Sequence, residues 1–166
     1  VALIDPQDTF DPESGAAAGI ELTRLLWIRG NGAGEAGVQA IRALHLVLNA
    51  GGFGVVALDM AGIPAATIRH LPFTTWMRIQ RAIEGSETTC VLLGAQSIAR
   101  SAGGLSIVMQ PAHKHGCWVG ESDRARLLDG LDILARVTCA GRFCGSKVLR
   151  FKGSNVMRIG CLPVSL

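Results

Sequence analysis

Phe53-Gly54-Val55-Val56-Ala57-Leu58-Asp59 is the stretch whose reading decides the fold. It runs without polar interruption into a carboxylate, and no period of two divides it into a wet and a dry face. That pattern predicts a central parallel strand, covered on both faces, that delivers Asp59 at its C-terminal edge. Upstream, Glu35 to Asn49 places Val38, Ile41, His45 and Leu48 at helical spacing, and Gly51-Gly52 supply the stop. Before that helix, Leu25-Leu26-Trp27-Ile28 forms a short apolar run closed by the Gly30–Gly34 loop. Val1 to Asp5 is another such run, ended by Pro6, and Asp11-Pro12-Glu13 then offers an N-cap, an N1 proline and an early acid for a short helix.

Downstream, Pro72 opens a helix with Phe73, Trp76, Ile79 and Ile83 on one side and Arg78, Arg81 and Glu84 on the other, and Cys90-Val91-Leu92-Leu93 reads as a fourth buried strand. After Gln96 the pattern changes. Leu105, Ile107 and Met109 alternate with smaller or polar residues, as do Leu131, Ile133, Ala135 and Val137, and Val148–Phe151 with Val156–Ile159 adds a hairpin. The order βαβαβαβ followed by β-rich sequence predicts an α/β fold: a largely parallel sheet flanked by helices and extended by antiparallel strands toward the C-terminus, in a single domain over 1–166.

Composition agrees. Apolar residues make up 49% and charged residues 17% of 166, with 21 glycines, which fits a packed α/β core and excludes disorder or a coiled coil. No apolar run approaches the roughly 18 residues that cross a bilayer, and no signal peptide is legible, so no membrane contact and a cytoplasmic location are expected. Five cysteines, an odd number, read as reduced thiols. Val1 to Asp5 reads as the body of a strand, so an upstream strand, loop and helix are expected before it.

Charge is unevenly spread. Residues 1–99 carry six Lys/Arg against nine Asp/Glu, and residues 100–166 carry ten against four. After Asp132 come only Arg136, Arg142, Lys147, Arg150, Lys152 and Arg158, a run equally consistent with a solvated basic surface and with contacts to a phosphate backbone.

Val1-Ala2-Leu3-Ile4-Asp5-Pro6-Gln7-Asp8-Thr9-Phe10-Asp11-Pro12, then Ala18-Gly19-Ile20-Glu21-Leu22 and Leu25-Leu26, resembles the stretch after the first core helix of RecA. The order of features continues through Val55–Asp59 to Gly94-Ala95-Gln96, about 100 residues in all. The short segment after Gln96, Leu25–Arg29 and Leu127-Leu128-Asp129-Gly130-Leu131 are more similar still to ImuA, a RecA-related accessory of mutagenic SOS polymerases.

The resemblance implies a RecA-like, P-loop NTPase-type core acting in DNA repair and recombination during the SOS response. It places Asp59 at the Walker B position, where a carboxylate orients Mg²⁺ on ATP phosphates, and Gln96 at the γ-phosphate sensor. It also places Gln7 where RecA carries its water-activating glutamate and Ser14 where RecA stacks a tyrosine on adenine. An amide is no proton acceptor at neutral pH, so the site is expected to be degenerate and not to hydrolyse ATP. No Gly-x-x-x-x-Gly-Lys-Ser/Thr occurs in the 166 residues; Gly30-Asn31-Gly32-Ala33-Gly34 lacks the lysine.

Arg100, Arg142, Lys147, Arg150 and Lys152 are the candidate contacts to single-stranded DNA. A RecA filament or a translesion polymerase is the expected protein partner. The alternative is an active DNA-dependent ATPase whose P-loop lies upstream of Val1. His113, His115 and Cys117 match no zinc spacing and read as a polar hairpin loop. Trp27 and Trp76 read as core, whereas Trp118, in a loop, is a base-stacking candidate.

Overall fold

The structure, a computed structural model, describes residues 1–31, 35–96, 98, 104–120, 126–139, 142–152 and 158–161. The chain divides into two compact units, Val1–Arg100 and Ser101–Leu166.

In the first unit, β1 (Ala2–Asp5), β2 (Leu26–Arg29), β3 (Val55–Asp59) and β4 (Thr89–Leu93) form a four-stranded sheet in the order β2-β1-β3-β4, every pair parallel. Helix α1 (Pro12–Ala17) follows β1, α2 (Ala36–Ala50) follows β2, and α3 (Ala65–His70) and α4 (Phe73–Ile83) lie between β3 and β4. The fold is therefore α/β with a parallel sheet flanked by helices.

The local signals act as their chemistry dictates. Asp11 caps α1 by accepting from the Glu13 and Ser14 N–H groups, with Pro12 at the first helical position. Gly51 ends α2 at φ 69°, in the left-handed region that a side chain would strain.

One side of the sheet is sealed. Ala2, Ile4, Val56 and Leu58 are 2% exposed or less, and α2 packs across β1 and β3 with α4 against it. The α2 stripe that makes this contact is Ala40, Ile41, Leu44, Val47 and Leu48, behind Ala36 and Gly37 at the first turn. Fully burying a side chain such as Leu44 or Leu58 contributes about 1.5–3 kcal/mol. The expected stripe through Val38 and His45 is displaced: Val38 is exposed, and His45 is half-buried. Small residues at 36, 37 and 40 let the helix approach on their side, which rotates Leu44 rather than His45 inward.

The expected cover on both faces is found on one only. Trp27, Leu3, Ala57 and Val91 share the opposite side and are half-buried, while Val55 and Leu93 are exposed. The cause is topological. Right-handed crossovers from β2 to β3 and from β3 to β4 stack their helices on one side, and only the short β1–β2 connection returns on the other. There Phe10 meets Trp27 edge-on at 5.4 Å between centroids, with Gly15 of α1 against Phe10.

In the second unit, β5 (Leu105–Val119), β6 (Leu127–Cys139), β7 (Arg142–Lys152) and β8 (Arg158–Cys161) form an antiparallel sheet in sequence order. The antiparallel strands expected after Gln96 thus exist, but in a sheet of their own: among the described residues no ladder joins them to the parallel strands. His113, His115, Cys117 and Trp118 lie within β5 and not in loops, and Trp118 is exposed. Among the described residues, no helix is long and apolar enough to cross a membrane.

Candidate functional site at the carboxyl edge of the parallel sheet

Strand order fixes where a site can form. From β1 the chain moves outward to β2, then crosses back over β1 to β3, so the topology reverses between β1 and β3. In open parallel sheets, ligands bind outside the strand C-termini at such a reversal, because the two diverging connections leave a crevice there. Asp5 and Asp59 end these two strands.

The β1 end is pinned. Asp5 is 1% exposed, and its carboxylate accepts from the Thr9 N–H at 3.1 Å, the Phe10 N–H at 2.9 Å and the Trp27 indole N–H at 3.3 Å, with the Thr9 hydroxyl at 3.4 Å. Burial alone would raise its pKa, but the N–H donors of Phe10, Thr9 and Trp27 outweigh that and hold it below the usual value.

The loop is tied a second time. Asp8 sits at φ 57° and receives both Nε and Nη2 of Arg29, each at 2.7 Å, and that guanidinium lies 4.4 Å above the Trp27 ring. Hydrogen bonding to Arg29 lowers the Asp8 pKa. Gly30 completes the clamp. Its N–H donates to the Asp5 carbonyl at 2.8 Å, and a Cβ there would run into the Pro6 backbone, so only glycine fits.

Gln7 is carried on this clamped loop, half-buried, and reaches the neighbouring strand's turn: a Cβ on Gly62 would stand 2.9 Å from its Cγ. Asp59, half-buried, accepts only from the Ala61 N–H, at 2.8 Å, among the described contacts. The Met60 N–H extends the ladder to the Leu93 carbonyl, and Gln96 lies exposed three residues beyond. Gln7, Asp59 and Gln96 therefore come to one edge of the sheet, the first two astride the reversal.

Chemically, this edge offers an accessible carboxylate and two amides. Neither carboxylate beside Gln7 is free to act as a base, since Asp5 is saturated with donors and Asp8 is held by Arg29. A lowered pKa makes both poorer acceptors still. Ser14 is occupied with Asp11, to which its hydroxyl donates. Cys90 carries a free thiol whose pKa burial pushes up to about 11, so it is inert as a nucleophile.

The other expected residues fall elsewhere. Arg100 lies outside the described residues, as do Gly32, Ala33 and Gly34. Arg142, Lys147, Arg150 and Lys152 are on β7, opposite Cys139, Ala135, Asp132 and Gly130 of β6. Among the described residues, no cluster of three or more His, Cys, Asp or Glu side chains can hold a metal by itself. Sequence reasoning missed the Asp5–Trp27 and Asp8–Arg29 pairs, which join residues more than twenty apart. The one available signal was that Trp27-Ile28-Arg29 puts an indole and a guanidinium beside two aspartates once β2 pairs with β1. No protein-family model matches the sequence, and no curated protein does.

Proposed function

We propose that this chain is a RecA-like module of the SOS response, serving DNA repair and recombination through contact with other proteins and with DNA and not through ATP hydrolysis. The observation that carries the reading is that Gln7 and Asp59 stand at the C-terminal ends of adjacent strands, astride the β1/β3 reversal. A carboxylate there suits Mg²⁺ on a nucleotide phosphate, as the resemblance implies, and Gln96 follows β4, the next strand along the same edge, as the sensor of the same resemblance. An amide stands in the base position, and its neighbouring carboxylates are committed to Trp27 and Arg29. ATP and Mg²⁺ are thus ligands of a site that does not turn over.

The expected partners are a RecA filament or a translesion polymerase, with Arg142, Lys147, Arg150 and Lys152 contacting single-stranded DNA and Arg100 adding to it. Co-sedimentation of the full-length protein with RecA filaments, and pull-down with a mutagenic polymerase, test the protein contact. Binding to either, retained in Asp59→Ala, is expected; binding to neither overturns the contact role. For DNA, affinity should fall steeply with salt, and Arg150→Glu with Lys152→Glu should weaken it about tenfold or more.

The second reading, a DNA-dependent ATPase, draws on the accessibility of Asp59 and Gln96 at this edge. It requires turnover that Asp59→Ala abolishes.

A further inference from the structure

Residues 1–99 are acidic, with six Lys/Arg against nine Asp/Glu, yet the six arginines are segregated. Arg24 pairs with Glu21 and Arg29 with Asp8. The other four, Arg42, Arg69, Arg78 and Arg81, all lie on α2, α3 and α4, and none makes an ion pair with a described residue. Two of them, Arg42 and Arg78, border one groove, and Arg81 borders the hollow that adjoins it.

That groove is about 430 Å³ between α2 and the α3–α4 corner, with Val38, Ile41, Leu71 and Pro72 as apolar lining and Arg42, His45, His70 and Arg78 as polar, basic lining. A second hollow of about 380 Å³ shares His45 and Arg78 and continues to Asn49 and Arg81. Among the described residues, no acidic side chain lines either hollow. The acids nearest in sequence, Glu35 and Glu84, sit at helix ends. From Val38 to Asn49 the groove follows α2 for roughly 16 Å, about three turns of a second helix.

We propose that this groove is a docking site for an acidic amphipathic helix of another protein. Its apolar stripe would lie on Val38, Leu71 and Pro72 and its acidic flanks on Arg42, Arg78 and Arg81. Charge complementarity selects the partner: unpaired cations keep their full attraction for carboxylates, and the lack of acids removes competition. The apolar floor argues against a nucleic-acid strand, which would leave Val38, Leu71 and Pro72 wet, and among the described residues no Phe, Tyr or Trp ring lines the groove to stack a base. The inference rests on the α2–α4 surface alone and does not depend on the recombinase reading.

The test is fluorescence anisotropy of a labelled helical peptide of about 15 residues, with Leu at i, i+3, i+4 and i+7 and Glu on both flanks, titrated with the full chain. Saturable binding is expected, weakened about tenfold or more by Arg42→Glu with Arg78→Glu and by replacing the peptide's Glu with Gln, and unchanged by Arg24→Glu. Thermal melts of the exposed-site variants matching the parent exclude unfolding as the cause; Arg42→Gln with Arg78→Gln gives the same reading at smaller amplitude. Absent binding, or equal affinity for parent and reversal variant, overturns the proposal. So does oligo-dT binding that the reversals abolish while the peptide does not bind, an outcome that assigns the groove to nucleic acid.

Discussion

β1 and β3 run side by side in the same direction and each ends in aspartate, yet the two carboxylates are put to opposite uses. Asp5 is sealed at 1% exposure beneath three N–H donors, whereas Asp59 is half-buried and accepts from one backbone N–H. The strands themselves hardly differ: Ala2-Leu3-Ile4-Asp5 against Val56-Ala57-Leu58-Asp59. What differs is the chain that follows. Pro6 to Phe10 doubles back so that two of its N–H groups aim at Asp5, and β2 adds the Trp27 indole; Met60-Ala61-Gly62 turns away after one bond. A strand-end carboxylate becomes a structural pin or an open ligand according to the donors its own loop returns to it.

The largest consequence is in stability. Asp5→Ala leaves the Thr9, Phe10 and Trp27 N–H groups without an acceptor in a buried place and is expected to cost about 3–5 kcal/mol in urea unfolding. A loss under about 1 kcal/mol would mean the carboxylate is no pin.

Acid should release the pin. Because the folded pKa of Asp5 is below the 3.8 of an unperturbed Asp, its stabilisation is present in full above that value and is lost as pH falls through the folded pKa. The stability slope below about pH 4 should therefore be flatter in Asp5→Asn than in the parent. Equal slopes in the two would show that the Asp5 carboxylate is not specially held.

Smaller again, Trp27→Phe removes one donor to Asp5 while keeping an aromatic face for Arg29, and about 1 kcal/mol is the expected loss by thermal or urea unfolding. Smallest is Asp59→Ala, which should change stability by about 0.5 kcal/mol or less while removing Mg²⁺-dependent nucleotide binding by calorimetry. A large stability loss there would make Asp59 a second pin.

Much of the parallel half was legible because its signals are local. The apolar run into Asp59, the Asp11-Pro12 start and the Gly51 stop each act within a few residues, and β1 to β4 follow from unbroken apolar runs. The α2 stripe was misjudged at Val38 and His45 because spacing gives the period of a helix, whereas its phase was set by where small residues permit close approach. α3 is too short, at six residues, to show a period. β5 extends through His113 to Trp118, where polar residues and glycine look like a turn; pairing with β6 skips 112–115 at a register shift and resumes at Gly116, which no local pattern announces.

At the edge, Gln7 and Asp59 were singled out through resemblance, and that they share one edge follows from the order of strands. The Asp5–Trp27 and Asp8–Arg29 ties were not, since they exist only once β2 lies against β1. The basic groove was hidden for the same reason, being assembled from Arg42 on one helix and Arg78 and Arg81 on another.

ATP turnover by the full-length protein, with and without single-stranded DNA, beside Asp59→Ala, probes the site most directly. On the proposed reading, a parent rate no higher than that of Asp59→Ala under either condition is expected, because Gln7 offers an amide and the nearby carboxylates Asp5 and Asp8 are already bound. A parent rate stimulated by DNA and abolished in Asp59→Ala would contradict it and make this edge a working ATPase site.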